Sequence, residues 1–193
     1  VVGTGYTGLN AALQTARGGR ETLVFEAQAV GFGCSSRNGG QIGTSVKPSL
    51  EAMTKRYGVE TARGVIQEGQ AALAWLSDFV AQEGISCDFK TAGRFHAAHN
   101  RAAFDKLVRS VRAQPDGLEV PYDIVERADQ HREIGTDAYH GGVVFGDHAS
   151  LDPARYHQGL LDLPQQAGVR IAEQCEVTRI AHEGDQFRVF TPK

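Results

Sequence analysis

The feature that most constrains this chain is a run of three glycines near its first residue, Gly3, Gly5 and Gly8, in the order G-x-G-x-x-G. Val1 and Val2 precede the run, and apolar residues at helical spacing follow it. This order predicts a strand, a tight turn and a helix. The first glycine permits the turn, the second lets a ligand approach, and the third lets the helix pack on the strand. A helix that begins there presents free N–H groups, which favour phosphate.

A second strand is predicted at "TLVFE", and it ends at Glu26. Gly18 and Gly19 end the intervening helix. The acid follows the glycine run by about 20 residues, the distance at which a carboxylate accepts hydrogen bonds from ribose hydroxyls. Glycine-rich turns occur in many loops that bind nothing. The strand, the helix, the second strand and the terminal acid together predict a dinucleotide site.

The segment "VGFGCSSRNGGQIGTS", residues 30–45, contains five glycines and is predicted to be neither helix nor strand. Ordering so many glycines is costly in backbone entropy. Because the segment follows Glu26 at the carboxyl edge of the predicted sheet, we expect it to lie against a ligand. A flexible surface loop is the alternative.

These segments resemble the amino-terminal half of a known family. "GTGYTGLNAAL" and "FEAQAVGFGCSSRNGGQIG" are similar to the D-amino-acid oxidase-like (DAO) family of FAD-dependent oxidoreductases, and most of all to its gamma-glutamylputrescine oxidase-like amine oxidoreductases. The pattern there is G-G-G-Y-T-G-L, then a Glu, then G-W-G-A-S-G-R-N-G-G-Q. Thr4, Phe32 and Ser36 depart from it. The resemblance continues through "DFKTAGRFHAAHN", the Y-x-G-G-x and D-P-x-x-Y patterns of residues 135–161, and "AGVRIAEQCEVTRI".

The resemblance implies FAD as the cofactor. Some relatives attach FAD through a histidine in the glycine-rich loop, and this loop has none, so non-covalent binding is expected. Arg37 and Asn38 would lie by the isoalloxazine, and the Val177 backbone would contact the adenine side. The full set of predicted cofactor-binding residues is Gly3, Gly5, Tyr6, Thr7, Gly8, Glu26, Ala27, Ser35, Ser36, Arg37, Asn38, Gly39, Gly40, Gln41 and Val177. No catalytic residue is identified, and no metal site is expected.

The implied fold class is α/β, with a Rossmann-like FAD-binding domain of the glutathione-reductase type interleaved with part of an α+β substrate domain. Residues 1–85 would form the FAD-binding domain with a helical segment, 86–147 part of the substrate domain, and 148–193 the return to the first domain. The helical segment is predicted as two helices broken near Tyr57-Gly58. Its second helix has a predicted buried stripe at Ala62, Val65, Ile66, Ala72, Leu73, Leu76 and Val80, with Trp75 alongside.

The implied activity is oxidation of the C–N bond of a primary or secondary amine or amino acid to an imine. The partners would be that small molecule and O₂ or another electron acceptor. An NAD(P)-dependent Rossmann dehydrogenase is an alternative that explains Gly3 to Glu26 but leaves "SSRNGGQ" without a role. A non-catalytic truncated remnant is another. Val1 and Val2 are fewer than the about 5 residues of a usual strand, so we expect further residues before them in the natural protein. The resemblance covers about half of a full family member, so we expect an amino-terminal piece of a longer enzyme, inactive by itself.

Composition restricts the other possibilities. The net charge is −3 and no basic cluster interleaved with aromatics occurs, so no nucleic-acid partner is expected. No apolar run approaches the about 20 residues of a membrane span. Three scattered cysteines suit neither a disulfide framework nor zinc, so a reducing, cytoplasmic location is expected. The seven histidines are predicted in surface or capping roles, with His96 and His99 on opposite faces of a strand. Asp152 before Pro153 predicts a helix N-cap.

Overall fold

The computed structural model describes residues 1–192 of the 193, and it divides into two compact units. The first unit is formed by Val1–Gly40, Glu83–Asp88 and the described residues from Leu151 onward. The second unit is formed by Gln41–Gln82 and Phe89–Ser150. The chain therefore passes repeatedly between two α/β units, which confirms the predicted class of interleaved fold.

The first unit contains the predicted strand–helix–strand motif. Helix α1 spans Tyr6–Arg17 and strand β1 spans Leu23–Phe25. The chain start runs parallel to β1, because Val2 forms a parallel bridge with Phe25. On its other side β1 pairs in parallel with β7, Arg170–Ala172. These neighbours form a small parallel sheet, whose core contains the buried residues Ala12, Val24 and Val169.

Helix α5, Pro153–Gln166, packs against α1 in this unit. It begins as predicted, since the Asp152 carboxylate accepts hydrogen bonds from the first two helical N–H groups that follow Pro153. Leu160 is fully buried on this helix. Strands β8, Arg179–Glu183, and β9, Gln186–Phe190, form an antiparallel hairpin. The segment "DQFRVFTPK", residues 185–193, is predicted from its sequence to be a strand. Strand β9 lies within it, and Lys193 lies outside the described residues.

The second unit contains two consecutive helices, as the sequence predicts. Helix α2 spans Leu50–Tyr57 and α3 spans Val59–Gln82, and Gly58 separates them at φ 83°. A positive φ suits glycine because a Cβ there is strained. The boundaries expected from the sequence place these helices in the first domain, residues 1–85. In the structure both helices pack within the second unit.

Antiparallel strands form the rest of the second unit. The sheet has the order β3-β5-β4, with β3 at Arg94–Ala97, β4 at Asp123–Val125 and β5 at Gly142–Phe145. Helix α4, Arg101–Arg112, packs on β5 and is capped by Asn100. Short strands β2, Gln41–Ile42, and β6, Ala149–Ser150, form a separate pair. Strand β4 contributes the fully buried Val125, and β5 contributes the fully buried Val143.

The predicted buried stripe of α3 is partly wrong. Ala62 and Val80 are buried, but Val65 is 39% exposed and Trp75 is 53% exposed. Ala72 is exposed as well, whereas Ile66, Leu73 and Leu76 are half-buried. The buried residues Ala62, Phe79 and Val80 lie near the two ends of this 24-residue helix. Several apolar residues in its middle are therefore not covered by another element. Among residues 1–192, no helix is both long and apolar enough to cross a membrane.

Candidate functional site

The candidate site is built on the turn between the chain start and α1. Gly3 has φ 88°, a conformation that L side chains rarely adopt. A Cβ on Gly8 would lie 2.0 Å from the Gly3 carbonyl oxygen, so the helix approaches the turn as closely as glycine permits. Gly5 is the N-cap of α1 and supplies no side-chain hydrogen bond, and the first helical turn has no acidic residue. The positive end of the helix is thus available to an anion.

Glu26 follows β1 and is held by this turn. Its Oε2 accepts hydrogen bonds from the Thr4 backbone N–H at 2.9 Å and from the Thr4 hydroxyl at 2.6 Å. Its Oε1 accepts from the Gln28 N–H at 3.0 Å. Burial raises the pKa of Glu26, but the hydrogen bonds from Thr4, Gln28 and Ala27 outweigh it and lower that pKa. The carboxyl group is therefore ionised at neutral pH and is a hydrogen-bond acceptor.

The glycine-rich loop lies against the start of α1. The loop contains a short 3₁₀ turn, Cys34–Ser36, where no regular element was predicted. The Ser35 Oγ accepts a hydrogen bond from the Tyr6 N–H at 3.3 Å, and a Cβ on Gly5 would lie 3.1 Å from that oxygen. The Asn38 amide donates to the Tyr6 hydroxyl at 3.2 Å. The loop is therefore adjacent to the turn at the start of α1.

Other loop residues make contacts within the loop itself. The Ser36 hydroxyl donates to the Gly31 carbonyl, and Asn38 Oδ1 accepts from the Gly40 N–H at 2.8 Å. Arg37 folds back over Phe32, with its guanidinium carbon 4.7 Å from the ring centroid, and donates to the Phe32 carbonyl. In this conformation Ser36 and Arg37 order the loop.

The remaining predicted residues differ in position. Thr7 is exposed beside the turn, and Ala27 is exposed next to Glu26. Gly39 is exposed in the glycine-rich loop. Val177 is half-buried, two residues after Cys175, whose N–H donates to the Glu26 carbonyl at 2.8 Å. These residues all belong to the first unit. Gln41 begins β2 in the second unit.

The histidine prediction is wrong for two residues, because His148 and His157 are both buried. His157 Nε2 lies 2.7 Å from the Thr4 carbonyl oxygen in the candidate site. His148 stacks on Phe145 in the second unit, and its Nδ1 has no hydrogen-bond partner among residues 1–192. Burial, and then the charge of Arg94, lower the pKa of His148. The helical spacing of His157 with Leu160, Leu161 and Pro164 is a signal that places it on the buried side of α5, whereas His148 has no such signal in the sequence.

The donor set suits a dinucleotide. The α1 terminus can accept a pyrophosphate, and an ionised carboxylate at the end of β1 can accept hydrogen bonds from ribose hydroxyls. The absence of a Cβ at Gly5 lets such a ligand approach the backbone, and its absence at Gly8 lets α1 pack close to the Gly3 carbonyl. Within the described part of the chain, no group of three or more His, Cys, Asp or Glu residues could hold a metal ion.

The chain is similar in sequence to known oxidoreductases. The family model described as "FAD dependent oxidoreductase" matches residues 1–193. Gamma-glutamylputrescine oxidoreductase of Escherichia coli is 31% identical over 189 residues, which cover 94% of this chain and 42% of that protein. The probable oxidoreductase OrdL of Haemophilus influenzae is 26% identical over 193 residues, which cover 100% of this chain and 45% of that protein. The chain thus spans less than half the length of these relatives.

Solved structures share the fold. Glycine oxidase from Geobacillus kaustophilus superimposes with a TM-score of 0.82 at 18% identity, over 99% of this chain and 50% of that one. The FAD-bound L-alpha-glycerophosphate oxidase of Mycoplasma pneumoniae gives a TM-score of 0.74 at 16% identity, over 99% of this chain and 48% of that one. Because the family model covers the whole chain, the protein belongs to the DAO family of FAD dependent oxidoreductases.

Proposed function

We propose that the first unit binds FAD without a covalent bond. The pyrophosphate would lie at the α1 terminus beside Gly3, Gly5 and Gly8, and Glu26 would accept hydrogen bonds from the ribose hydroxyls. The observation that carries the proposal is the Glu26 carboxylate, which Thr4 holds beside the open helix terminus at 2.6 and 2.9 Å. A non-covalent complex is supported by the absence of histidine from residues 30–45.

FAD is favoured over a nicotinamide dinucleotide by the glycine-rich loop. Ser35 contacts the Tyr6 N–H at the helix terminus, and the Asn38 amide reaches the Tyr6 hydroxyl. A loop so close to the phosphate position can extend the site beyond the adenine and ribose. We assign Arg37, Asn38, Gly39 and Gly40 to the flavin side, and the Val177 backbone to the adenine side.

We further propose that a protein containing this chain oxidises the C–N bond of an amine or amino acid to an imine. The support is the 31% sequence identity to gamma-glutamylputrescine oxidoreductase. The fold alone does not distinguish oxidation of a C–N bond from other oxidations, because the structural neighbours include an oxidase of L-alpha-glycerophosphate. FAD, when bound, supplies a two-electron acceptor for hydride from the carbon that bears the nitrogen. The substrate loses two electrons and two protons, and O₂ or another acceptor reoxidises the flavin.

In this proposal the residues of the chain bind and orient. The α1 terminus and Ser35 fix the cofactor end, and Glu26 remains ionised because its hydrogen bonds lower its pKa. We assign no proton transfer to a side chain of this chain. We expect the 193 residues alone to be inactive on amines, and measurable turnover of an amine by the FAD-saturated chain would contradict this.

The cofactor proposal is tested by an absorbance spectrum of the purified chain before and after denaturation. Flavin bands that are released into the soluble fraction would support non-covalent FAD. A colourless chain is titrated with FAD and, separately, with NAD, and saturation by NAD alone would overturn the choice of cofactor. Failure to bind either dinucleotide would refute the proposed site in this chain.

The location of the site is tested with two glycine variants. Gly8→Ala places a Cβ 2.0 Å from the Gly3 carbonyl oxygen, whereas a Cβ on Gly33 would meet no atom within 4 Å. We expect the free chain to relieve this contact by displacing the turn. Restoring the turn on binding would cost about 1–3 kcal/mol, which corresponds to a roughly 5- to 150-fold higher Kd for FAD. Gly33→Ala should leave the Kd within about twofold. Circular dichroism checks that both variants keep their helices, and equal FAD affinity of the two would contradict the assignment.

A further inference from the structure

We infer that His157 is a positioning residue, which holds the phosphate-binding turn and the start of the glycine-rich loop in place before the cofactor binds. The inference rests on the proposed FAD site and adds a residue that the family pattern quoted above does not contain. His157 is 4% exposed on α5, 153 residues along the chain from the turn that it contacts.

The first contact is a hydrogen bond to the turn. His157 Nε2 lies 2.7 Å from the Thr4 carbonyl oxygen, and this pair is buried. A carbonyl oxygen only accepts, so Nε2 carries the proton and donates it. A buried carbonyl that loses its donor keeps the full cost of its desolvation. Removing the imidazole would therefore leave the Thr4 carbonyl free to turn away toward water.

The second contact is with the glycine-rich loop. A Cβ built on Gly31 would lie 3.1 Å from His157 Cε1 and 3.3 Å from its Nδ1, so the ring lies directly against this glycine. Gly31 in turn accepts the hydroxyl of Ser36 through its carbonyl. One side chain of α5 therefore touches both segments that we assign to the cofactor.

Thr4 transmits this restraint to Glu26. Thr4 is 2% exposed, and its N–H and hydroxyl both donate to Glu26 Oε2 while its carbonyl accepts from His157. Thr4 stands where the family pattern has glycine, a residue that would supply no hydroxyl. These hydrogen bonds connect His157 of α5, through Thr4, to the Glu26 carboxylate that would bind ribose.

Helix α5 is itself fixed near His157. Its N-cap Asp152 donates through its backbone N–H to the Cys87 carbonyl at 2.7 Å. Tyr156, the neighbour of His157, is 4% exposed and meets Tyr6 of α1 edge to face, with ring centroids 5.1 Å apart. The imidazole is thus presented from a rigid element, which is what orienting a backbone carbonyl requires.

The test compares three variants of this chain. His157→Leu removes the donor and keeps an apolar side chain, and His157→Gln keeps a side-chain N–H that can reach the same carbonyl. Gln158→Ala, on the exposed side of the same helix, removes only a hydrogen bond to Asp162 and is the control. The readouts are the Kd for FAD and the hydrogen-exchange rates of the Thr4–Gly8 amides without FAD.

We expect His157→Leu to raise the Kd for FAD about tenfold and to accelerate exchange at Thr4–Gly8 by at least a similar factor. His157→Gln should recover most of both effects, and Gln158→Ala should change neither by more than about twofold. If His157→Leu does not fold, His157→Phe, a flat ring without a donor, replaces it.

The two proposals fail in different ways. If the unaltered chain binds no FAD, the proposed function fails, and exchange in the apo chain still decides the role of His157. Unchanged exchange at Thr4–Gly8 in His157→Leu would overturn the positioning role. An equal increase in the Kd for FAD in His157→Leu and His157→Gln would also overturn it, because the hydrogen bond would then not be the cause.

Discussion

Gly40 closes the glycine-rich loop against the segment that leads into α5, and Gly40→Ala should destabilise the first unit. Gly40 has φ 64°, and a Cβ there would lie 2.0 Å from the Leu151 carbonyl oxygen. The left-handed conformation costs alanine about 1–2 kcal/mol. Overpacking against backbone that cannot rotate away adds about 1–3 kcal/mol. We therefore expect a loss of roughly 2–5 kcal/mol in the free energy of unfolding.

Gly39 is the matched control for this prediction. No atom lies within 4 Å of a Cβ built on Gly39, and its φ is not in the left-handed range. Gly39→Ala should leave the free energy of unfolding unchanged or raise it by up to about 1 kcal/mol, because the unfolded chain loses conformational freedom. The two variants have the same composition and differ only in which of two adjacent glycines is replaced.

Thermal unfolding followed by far-ultraviolet circular dichroism measures the difference. For a chain of this size each kcal/mol shifts the Tm by about 2–4 °C, so Gly40→Ala should melt roughly 4–20 °C below the unaltered chain. A Gly40→Ala chain that melts within about 1 °C of the unaltered chain would refute the reasoning. So would a Gly39→Ala chain that is destabilised equally, because the close approach at Leu151 would then not be the cause.

Two further predictions concern Glu26 and Asp152. Folding lowers the pKa of Glu26 from its ordinary value of 4.5. The Glu26 carboxylate should therefore stabilise the fold fully above pH 4.5, and this stabilisation should be lost as the pH falls through the lower pKa of the folded state. Measurements of Tm against pH in acid should show this decline, and Glu26→Gln should remove it. Asp152→Ala removes the side-chain cap of α5 and should cost about 1 kcal/mol, measured by denaturant unfolding, whereas Asp152→Asn, which keeps a capping oxygen, should cost less; equal losses would contradict a capping role.

Local motifs were predictable because they depend on neighbours in the sequence. The G-x-G-x-x-G turn, the strand that ends before Glu26 and the helix break at Gly58 each follow from backbone restrictions on a few adjacent residues. The N-cap of α5 is of the same kind, since Asp152 and Pro153 together specify a helix start. The family assignment depended on such local patterns and is confirmed over the whole chain.

Burial was less predictable, because it depends on what other segments cover. Trp75 has the periodicity of a buried residue and is 53% exposed, stacked on Phe79. His157 shares the helical spacing of the buried Leu160, Leu161 and Pro164 on α5, and it is buried with them. His148 has no such spacing to mark it and is buried as well. Hydrophobic spacing predicts which side of a helix is apolar, but it does not predict how much of that side meets another element.

The sequence by itself determined that a strand, a glycine turn and a helix would present an anion-favouring terminus close to Glu26. Only the tertiary structure decided how that turn is held. Thr4 accepts a hydrogen bond from His157 across 153 residues, and that bond exists only when α5 packs beside α1. The tertiary structure also decided that α2 and α3 belong to the second unit, because assignment to a unit depends on contacts and not on order along the chain.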